Sequence, residues 1–218
     1  MALLACHRAP QPLVPVAAPP ASPEQVREWV AATAPRGHVL YRFRWLFRDD
    51  RSSAGGRGSA RMAAPDSLRF DVTGPLGSRA ASAVVVGDSA LWAEPPDAVR
   101  DLVPNYPLLW ALFGVARLPE DGAELRGVQD AATTAWQYAR AGDTVTYVRR
   151  SGRENTFLAE VRHGGRVVGR AETTFDDDGT PRSARLTVPS VPARLDITFT
   201  ASASASAFPP EIWRPRQP

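Results

Sequence analysis

The residues that could perform catalytic or metal chemistry are few and lie far apart in the sequence. Three histidines occur, His7, His38 and His163, and none has a partner at the spacing of a metal site. No G-x-S-x-G elbow that would expose a nucleophilic serine is found. The run from Asp176 to Gly179 lacks the alternating ligands of a calcium loop and falls between two predicted strands, so it predicts a turn. We therefore expect a protein that is not an enzyme and has no cofactor.

The composition allows one large domain and gives no sign of nucleic-acid binding. The chain has 218 residues, of which 44% are hydrophobic, enough to bury a substantial core. Its formal charge is only +3, and its 26 basic residues are all arginines. They alternate with apolar residues or lie in turns, whereas a nucleic-acid site needs them gathered on one face. The pattern predicts arginines on solvated outer faces and no nucleic-acid partner.

The N-terminal residues suggest a lipid anchor followed by a spacer. The single cysteine, Cys6, ends the run LLAC, which resembles the lipobox of bacterial lipoproteins, where the cysteine thiol receives a diacylglyceryl group. Only five residues precede it, too few for a signal peptide, so the hypothesis requires a truncated or misassigned start. The alternative is a chance match of four residues. Residues 8 to 23 contain six prolines and predict an extended, semi-rigid spacer. We therefore predict a lipobox remnant and tether over residues 1–21 and one domain over residues 22–218.

The first regular element is predicted to be a short helix that begins after Ser22. Ser22 would be the N-cap, Pro23 would occupy the first helical position, and Gln25 could close a capping box. Three apolar residues follow at the i, i+3, i+4 spacing of one helix face: Val26, Trp29 and Val30.

From residue 38 the apolar period changes from 3.6 to 2, which predicts strands over most of the chain. In HVLYRFRWLFR, residues 38 to 48, every odd position is apolar and arginines occupy the other face. Segments of this kind recur after turn sequences such as AGD, HGG and DDDG. A glycine-rich turn is predicted over residues 49–58. In all, the pattern predicts about eleven strands in meander order.

One segment interrupts the strands. Residues 96 to 118 contain an almost continuous apolar run around Trp110, which predicts a helix of about eleven residues that is apolar on all sides. Such a helix must be covered on more than one side and is too short to span a bilayer. It is either an ordinary core helix or a plug or lid in the hollow of a curved sheet.

Two stretches resemble the LolA/LolB family of bacterial lipoprotein carriers and receptors. Residues 67 to 92, SLRFDVTGPLGSRAASAVVVGDSALW, are similar to the strand, Pro-Leu-Gly turn, strand and second turn of LolB. Residues 108 to 119, LLWALFGVARLP, are similar to its apolar helix and the Leu-Gly-Leu-Pro type sequence that ends it. The order of elements extends the resemblance from Ser22 to the end. It implies a mainly β fold: an incompletely closed antiparallel β-barrel of about eleven strands with short helices as plug or lid.

The resemblance also implies roles for individual residues. Leu76, in the GPLG turn, would project into solvent and form a membrane-insertion loop; the alternative is that it packs on a neighbouring loop. Inward apolar side chains would line a cavity for acyl chains, although each could also be plain core. These are Tyr41, Phe43, Trp45, Phe70, Trp92, Leu109, Trp110 and Phe113.

The implied function is that of an envelope lipoprotein. It would bind acyl chains of lipoproteins or lipids in an apolar cavity and help to transfer or insert them into the outer membrane. The chain would be lipid-anchored through Cys6 in the bacterial cell envelope, at the outer membrane facing the periplasm, with a periplasmic carrier protein as partner. A second hypothesis is a structural or sensory envelope protein that uses the same scaffold to bind a protein. A third, a hydrolase, requires a polar pocket in place of the apolar one.

Overall fold

A computed structural model describes residues 13–14, 18–75, 81–152 and 155–215, apart from the side chain of Asp101. The helices within these ranges are α1 (Pro23–Thr33), α2 (Ala98–Leu102), α3 (Tyr106–Ala111) and a C-terminal 3-10 helix (Pro210–Trp213). The strands there are β1 (His38–Arg48), β2 (Ser53–Ala63), β3 (Ser67–Thr73), β4 (Ala81–Val86), β5 (Ser89–Glu94), β6 (Glu124–Gln129), β7 (Thr133–Arg140), β8 (Asp143–Arg150), β9 (Asn155–His163), β10 (Arg166–Phe175), β11 (Pro181–Val188) and β12 (Ala193–Ala205).

The twelve strands in the described ranges form one antiparallel sheet in the order β5-β4-β3-β2-β1-β12-β11-β10-β9-β8-β7-β6. Strands β1 to β5 form one meander, and strands β6 to β12 form another. The two meanders are joined by the pairing of β1 with β12 along their lengths. The edge strands β5 and β6 are consecutive in the chain and are connected through α2 and α3. The predicted fold class, an incompletely closed antiparallel barrel with short helices, is confirmed.

The sequence pattern missed strand β6. Its residues, ELRGVQ, contain a glycine and do not alternate clearly between apolar and polar types. Gly127 pairs with Trp136 of β7, and a Cβ atom at Gly127 would overlap the Trp136 ring. The glycine that weakens the strand pattern is therefore the residue that lets the two strands pair.

The predicted glycine-rich turn over residues 49–58 is wrong in its second half, because β2 begins at Ser53. Gly56 faces the backbone of Thr73, and Gly58 lies against the ring of Phe43; a side chain at either position would overlap these atoms. These glycines serve close packing between strands and rings. The true turn is the short segment held by Asp49, whose carboxylate accepts from the backbone N–H groups of Arg51 and Ser52 at 2.8 and 2.5 Å.

Helix α1 is confirmed, with Val26 and Val30 buried and Trp29 packed against the core. The predicted capping box is wrong, because the Ser22 hydroxyl donates to the carboxylate of Glu24 at 2.8 Å and caps no backbone N–H. Because Pro23 at the first helical position has no backbone N–H, the start of the helix has one unpaired N–H donor fewer.

The apolar helix is covered on more than one side, as predicted, but it is shorter. Helix α3 has six residues, and Leu108, Leu109, Trp110 and Ala111 are completely buried. It ends because the backbone tightens into a turn that reaches Gly114, whose φ of 77° is a left-handed conformation. A Cβ atom at Gly114 would also overlap the ring of Phe175.

Part of the predicted tether contacts the outer face of the sheet. Val14 and Ala18 are buried in a small apolar cluster with residues of β7, β8 and β9. The backbone N–H of Ala21 donates to Leu125 in β6 at 3.0 Å, and that of Gly127 donates to Pro19 at 3.1 Å. The segment just before residue 21 therefore already packs on the sheet. The boundary between tether and domain at residue 21 stays a prediction.

Candidate functional site: an apolar hollow beside helix α3

An apolar hollow of about 560 Å³ lies between the inner face of the sheet and helices α2 and α3. Strands β1, β2, β3, β4 and β12 contribute to one wall, and the two helices contribute to the other. The described residues that line it are all apolar: Phe43, Trp45, Phe47, Ala54, Phe70, Val72, Ala81, Pro95, Ala98, Leu102, Leu109, Leu112, Phe113, Leu195 and Ile197. Its volume is within the range of about 300–1,000 Å³ that small-molecule sites occupy.

Five of the eight residues predicted to line an acyl-chain cavity lie in this wall. They are Phe43, Trp45, Phe70, Leu109 and Phe113. The sheet residues among them share the inner face through strand alternation, and Leu109 and Phe113 reach them from α3 and the turn that follows it. Their role in ligand binding stays a prediction.

Three other predicted residues lie elsewhere. Tyr41 lines a different cavity, and burial raises the pKa of its phenol. Trp110 is completely buried and donates from Nε1 to the carbonyl of Gly87 at 2.8 Å, which fixes α3 to the turn between β4 and β5. Trp92 faces the opposite side of the sheet, where the Arg69 guanidinium lies 5.2 Å from its ring.

The face that carries Trp92 is covered by the C-terminal 3-10 helix. The Trp92 Nε1–H donates to the carbonyl of Trp213 at 3.0 Å, and Arg69 donates to the carbonyl of Ile212. Arg69 is buried and also pairs with Asp71 at 2.8 Å. Strand alternation alone could not reveal this, because SALWA has apolar residues on both faces.

The predicted lipidation residue Cys6 and insertion residue Leu76 lie outside the described residues. The structure describes the strand residues on either side of the GPLG turn, Thr73 at the end of β3 and Ala81 at the start of β4. Ala81 also lines the apolar hollow.

The hollow stays open because small residues face large ones across the sheet. Phe47 of β1 pairs with Ala54 of β2, whose single methyl group leaves space in front of the ring, and both residues line the hollow. The Trp45 Nε1–H donates to two backbone carbonyls, those of Arg57 and Thr73, both at 3.3 Å. The indole is thereby held against the backbone of β2 and β3.

A second cavity of about 610 Å³, here called the mouth cavity, lies on the other side of Phe113. Its wall is more polar and includes the end of α1, the start of β1 and the turn between β10 and β11. Arg149 of β8 also lines it. Sequence reasoning placed the arginines on outer faces and missed this one. The signal was present, because Val145, Tyr147 and Arg149 alternate and therefore share one face.

Nothing in the described part of the chain suggests a metal centre, since it has no group of three His, Cys, Asp or Glu side chains placed to hold an ion. The Asp176–Gly179 run forms the predicted turn, closed by the N–H of Asp176 on the carbonyl of Thr180 at 2.9 Å. Within the same described ranges, none of the helices has the length and apolar character needed to cross a membrane.

The fold and the hollow together define a half-open antiparallel shell around an apolar interior. No family model matches the sequence, and no curated protein is significantly similar to it. Among solved structures, a LolA superfamily protein from Nitrosomonas europaea is similar, with a TM-score of 0.52 and 11% identity over 89% of this chain and 98% of that one. The chain has a LolA-like fold, and the predicted resemblance is confirmed at that level.

Two further structures are more distant. A domain described as an outer membrane lipoprotein-sorting protein from Vibrio parahaemolyticus has a TM-score of 0.38 and 9% identity, over 88% of this chain and 97% of that one. A DUF1329 family protein from Desulfovibrio piger has a TM-score of 0.39 and 5% identity, over 88% of this chain and 95% of that one.

Proposed function

We propose that this protein is a non-enzymatic bacterial envelope protein that binds acyl chains of lipoproteins or lipids in the apolar hollow. The observation that carries the proposal is the wall of the hollow, in which every described residue is apolar. Each methylene of a ligand that leaves water for such a wall contributes about 0.8 kcal/mol, so binding needs apolar area more than polar groups. A hydrolase site would instead need polar groups that converge on a reacting atom.

The second part of the proposal is delivery to a membrane. Cys6 would carry the lipid anchor in the outer membrane, on the periplasmic side, and a periplasmic carrier protein would supply the cargo. Leu76, in the GPLG sequence between β3 and β4, would enter the bilayer surface and guide acyl chains into it. An exposed apolar side chain suits this task, because its transfer from water into the membrane interface is favourable.

The first test fills the hollow. Ala54 lines it from β2, opposite Phe47, so Ala54→Trp should occupy much of its volume. Native mass spectrometry of protein isolated from its own host should detect bound acyl chains in the wild type and at least tenfold less in the variant, by the area argument above.

The matched control for that test is Ser53→Trp, since Ser53 is exposed and its side chain points to the other face of the same strand. It should retain the bound acyl chains. If Ala54→Trp carries as much acyl chain as the control, the hollow is not the binding site.

The second test concerns delivery. Leu76→Glu should leave acyl-chain binding unchanged but abolish transfer to liposomes, because a carboxylate does not enter the bilayer interface. Leu91→Glu is the matched control, as Leu91 is an exposed leucine on β5 with a side chain that is 62% exposed. Normal transfer by Leu76→Glu would contradict the insertion role and favour the partner-binding alternative.

A further inference from the structure

Arg149 is an arginine on the inner face of the shell. Residues two apart on a strand share a face, and Tyr147, two positions earlier, is completely buried in the core. The cross-strand neighbour of Arg149 on β9 is Phe157, which is also completely buried. A charged side chain at such a position loses part of its hydration, and this burial lowers the pKa of Arg149.

The Arg149 guanidinium has no carboxylate partner among the described residues. Its carbon lies 4.0 Å from the centroid of the Phe175 ring, which holds it by a cation–π contact. Most inward or half-buried arginines here are paired, as Arg69 is with Asp71 and Arg170 is with Glu160. Arg149 is half-buried, and its side chain lines the mouth cavity.

The charges around the mouth cavity favour an anion. Its wall contains two arginines, Arg36 and Arg149, and one carboxylate, Asp178. Arg36 and Asp178 are exposed at the rim, and the Asp178 carboxylate accepts from the backbone N–H of Thr180 at 2.8 Å. Arg149 is therefore the charged group of this wall that lies below the surface, and an anionic ligand would meet a positively charged site there.

The mouth cavity and the apolar hollow meet at Phe113, which lines both. Phe113 packs with Tyr41 at a ring separation of 6.2 Å and with Phe199 at 6.0 Å. These rings separate the two spaces. Along β1 the distance from Tyr41 to Phe47 is roughly 20 Å at the usual rise of a strand, comparable with a long extended acyl chain. A ligand with its tail in the hollow and its head beside Arg149 would pass Phe113, and this pose requires the Phe113 ring to turn aside.

We infer that Arg149 is the head-group subsite of the ligand, and that the protein selects acyl chains that carry an anionic head, a carboxylate or a phosphate. This inference rests on the proposed function, because it takes the apolar hollow as the site of the tail. Two donors of a guanidinium can contact two oxygens of either head group, whereas a neutral alcohol offers a single weaker acceptor.

The test compares three ligands with the same chain: hexadecanoate, hexadecyl phosphate and hexadecanol. Each ligand is titrated into delipidated full-length protein, and its dissociation constant is measured by native mass spectrometry. Competition between pairs of the three ligands for the same protein provides a second measurement. We expect the two anions to bind on the order of tenfold more tightly than the alcohol, as a net charge-assisted hydrogen bond allows. Arg149→Met should remove this preference, Arg149→Lys should keep most of it, and Arg150→Met should behave as the wild type, because Arg150 is exposed on the other face.

The outcomes separate this inference from the proposed function. Equal binding of all three ligands by the wild type, or an unchanged preference in Arg149→Met, overturns the anionic subsite and leaves the acyl-binding proposal intact. Failure of all three to bind the wild type overturns both. Retained hexadecanol binding by Arg149→Met shows that the variant is folded, so that its loss of preference supports the inference. A stronger preference for the phosphate points to phospholipids, and one for the carboxylate points to fatty acids.

Discussion

The two halves of the sheet have the same strand alternation but different interiors. On the half formed by β8, β9 and β10, helices α1 and α3 cover the inner face: Trp29 stacks on Phe157 at 6.0 Å, and the Thr173 hydroxyl donates to the Ala111 carbonyl at 2.7 Å. On the half formed by β1, β2 and β3, the rings face the apolar hollow. Helices α1 and α3 pack directly on the inner face of the first half, here called the packed half, whereas the rings of the second half, here called the open half, line the hollow.

This difference shows that apolar alternation marks an inner face without telling whether that face is filled. Phe157 is completely buried, whereas Phe47 is only half-buried, although each lies on the inner face of a regular strand. The packed half stabilises the fold, and the open half retains apolar surface that a ligand can cover.

The largest expected effect comes from truncating one ring in each half. Phe157→Ala should lower the free energy of unfolding by about 3–5 kcal/mol, because it leaves a cavity in a packed region. Phe47→Ala should lower it by only about 1–2 kcal/mol, because that ring already faces open space. Urea denaturation followed by tryptophan fluorescence measures both. Equal losses would mean that the two interiors are equally filled and would remove the comparison.

A smaller effect is expected from adding one methyl group in each half. Gly127→Ala pushes against the Trp136 ring in the packed half, and Gly58→Ala pushes against the Phe43 ring beside the hollow. Phe43 lines the hollow, whereas Trp136 lines neither of the two cavities described above. We therefore expect a loss of about 2–3 kcal/mol for Gly127→Ala and of about 1 kcal/mol for Gly58→Ala. The displaced Phe43 ring should also reduce acyl-chain binding, which Gly127→Ala should not change at the same degree of folding.

If both alanine variants lose the same stability, the Phe43 ring is as tightly enclosed as that of Trp136. Thermal unfolding of the two proteins, measured side by side with bound ligand removed, decides between these outcomes. Added acyl-chain ligand provides a further check, because it should stabilise the wild type more than Gly58→Ala.

The strands and their facing were largely predictable, because alternation is a local property of the chain. The residues of β1 show it directly: Tyr41 and Phe43 are buried and Arg42 and Arg44 are exposed. The misses occurred where a residue serves a distant partner. Gly127 and Gly58 weaken the strand pattern locally, but each makes room for a ring on the neighbouring strand.

The candidate site was predictable in part for the same reason. Alternation placed Phe43, Trp45 and Phe70 inward, and they line the hollow. Alternation could not show that the C-terminal helix covers the face of Trp92. Nor could it show that Trp110 is completely buried and does not line the hollow. These outcomes depend on which segments pack against a face, and those segments are far away in the sequence.

The sequence by itself determined a mainly β chain, its inward and outward residues and its apolar interrupting segment, since each of these follows from the order of residue types along a few turns or strands. Only the tertiary structure decided that β1 pairs with β12, that α1 and α3 pack directly on one half of the shell, and that Arg149, with no carboxylate partner among the described residues, lines a cavity next to the hollow. The physical reason is that long-range pairing and the volume left between packed elements depend on all the segments together, and no local pattern encodes them.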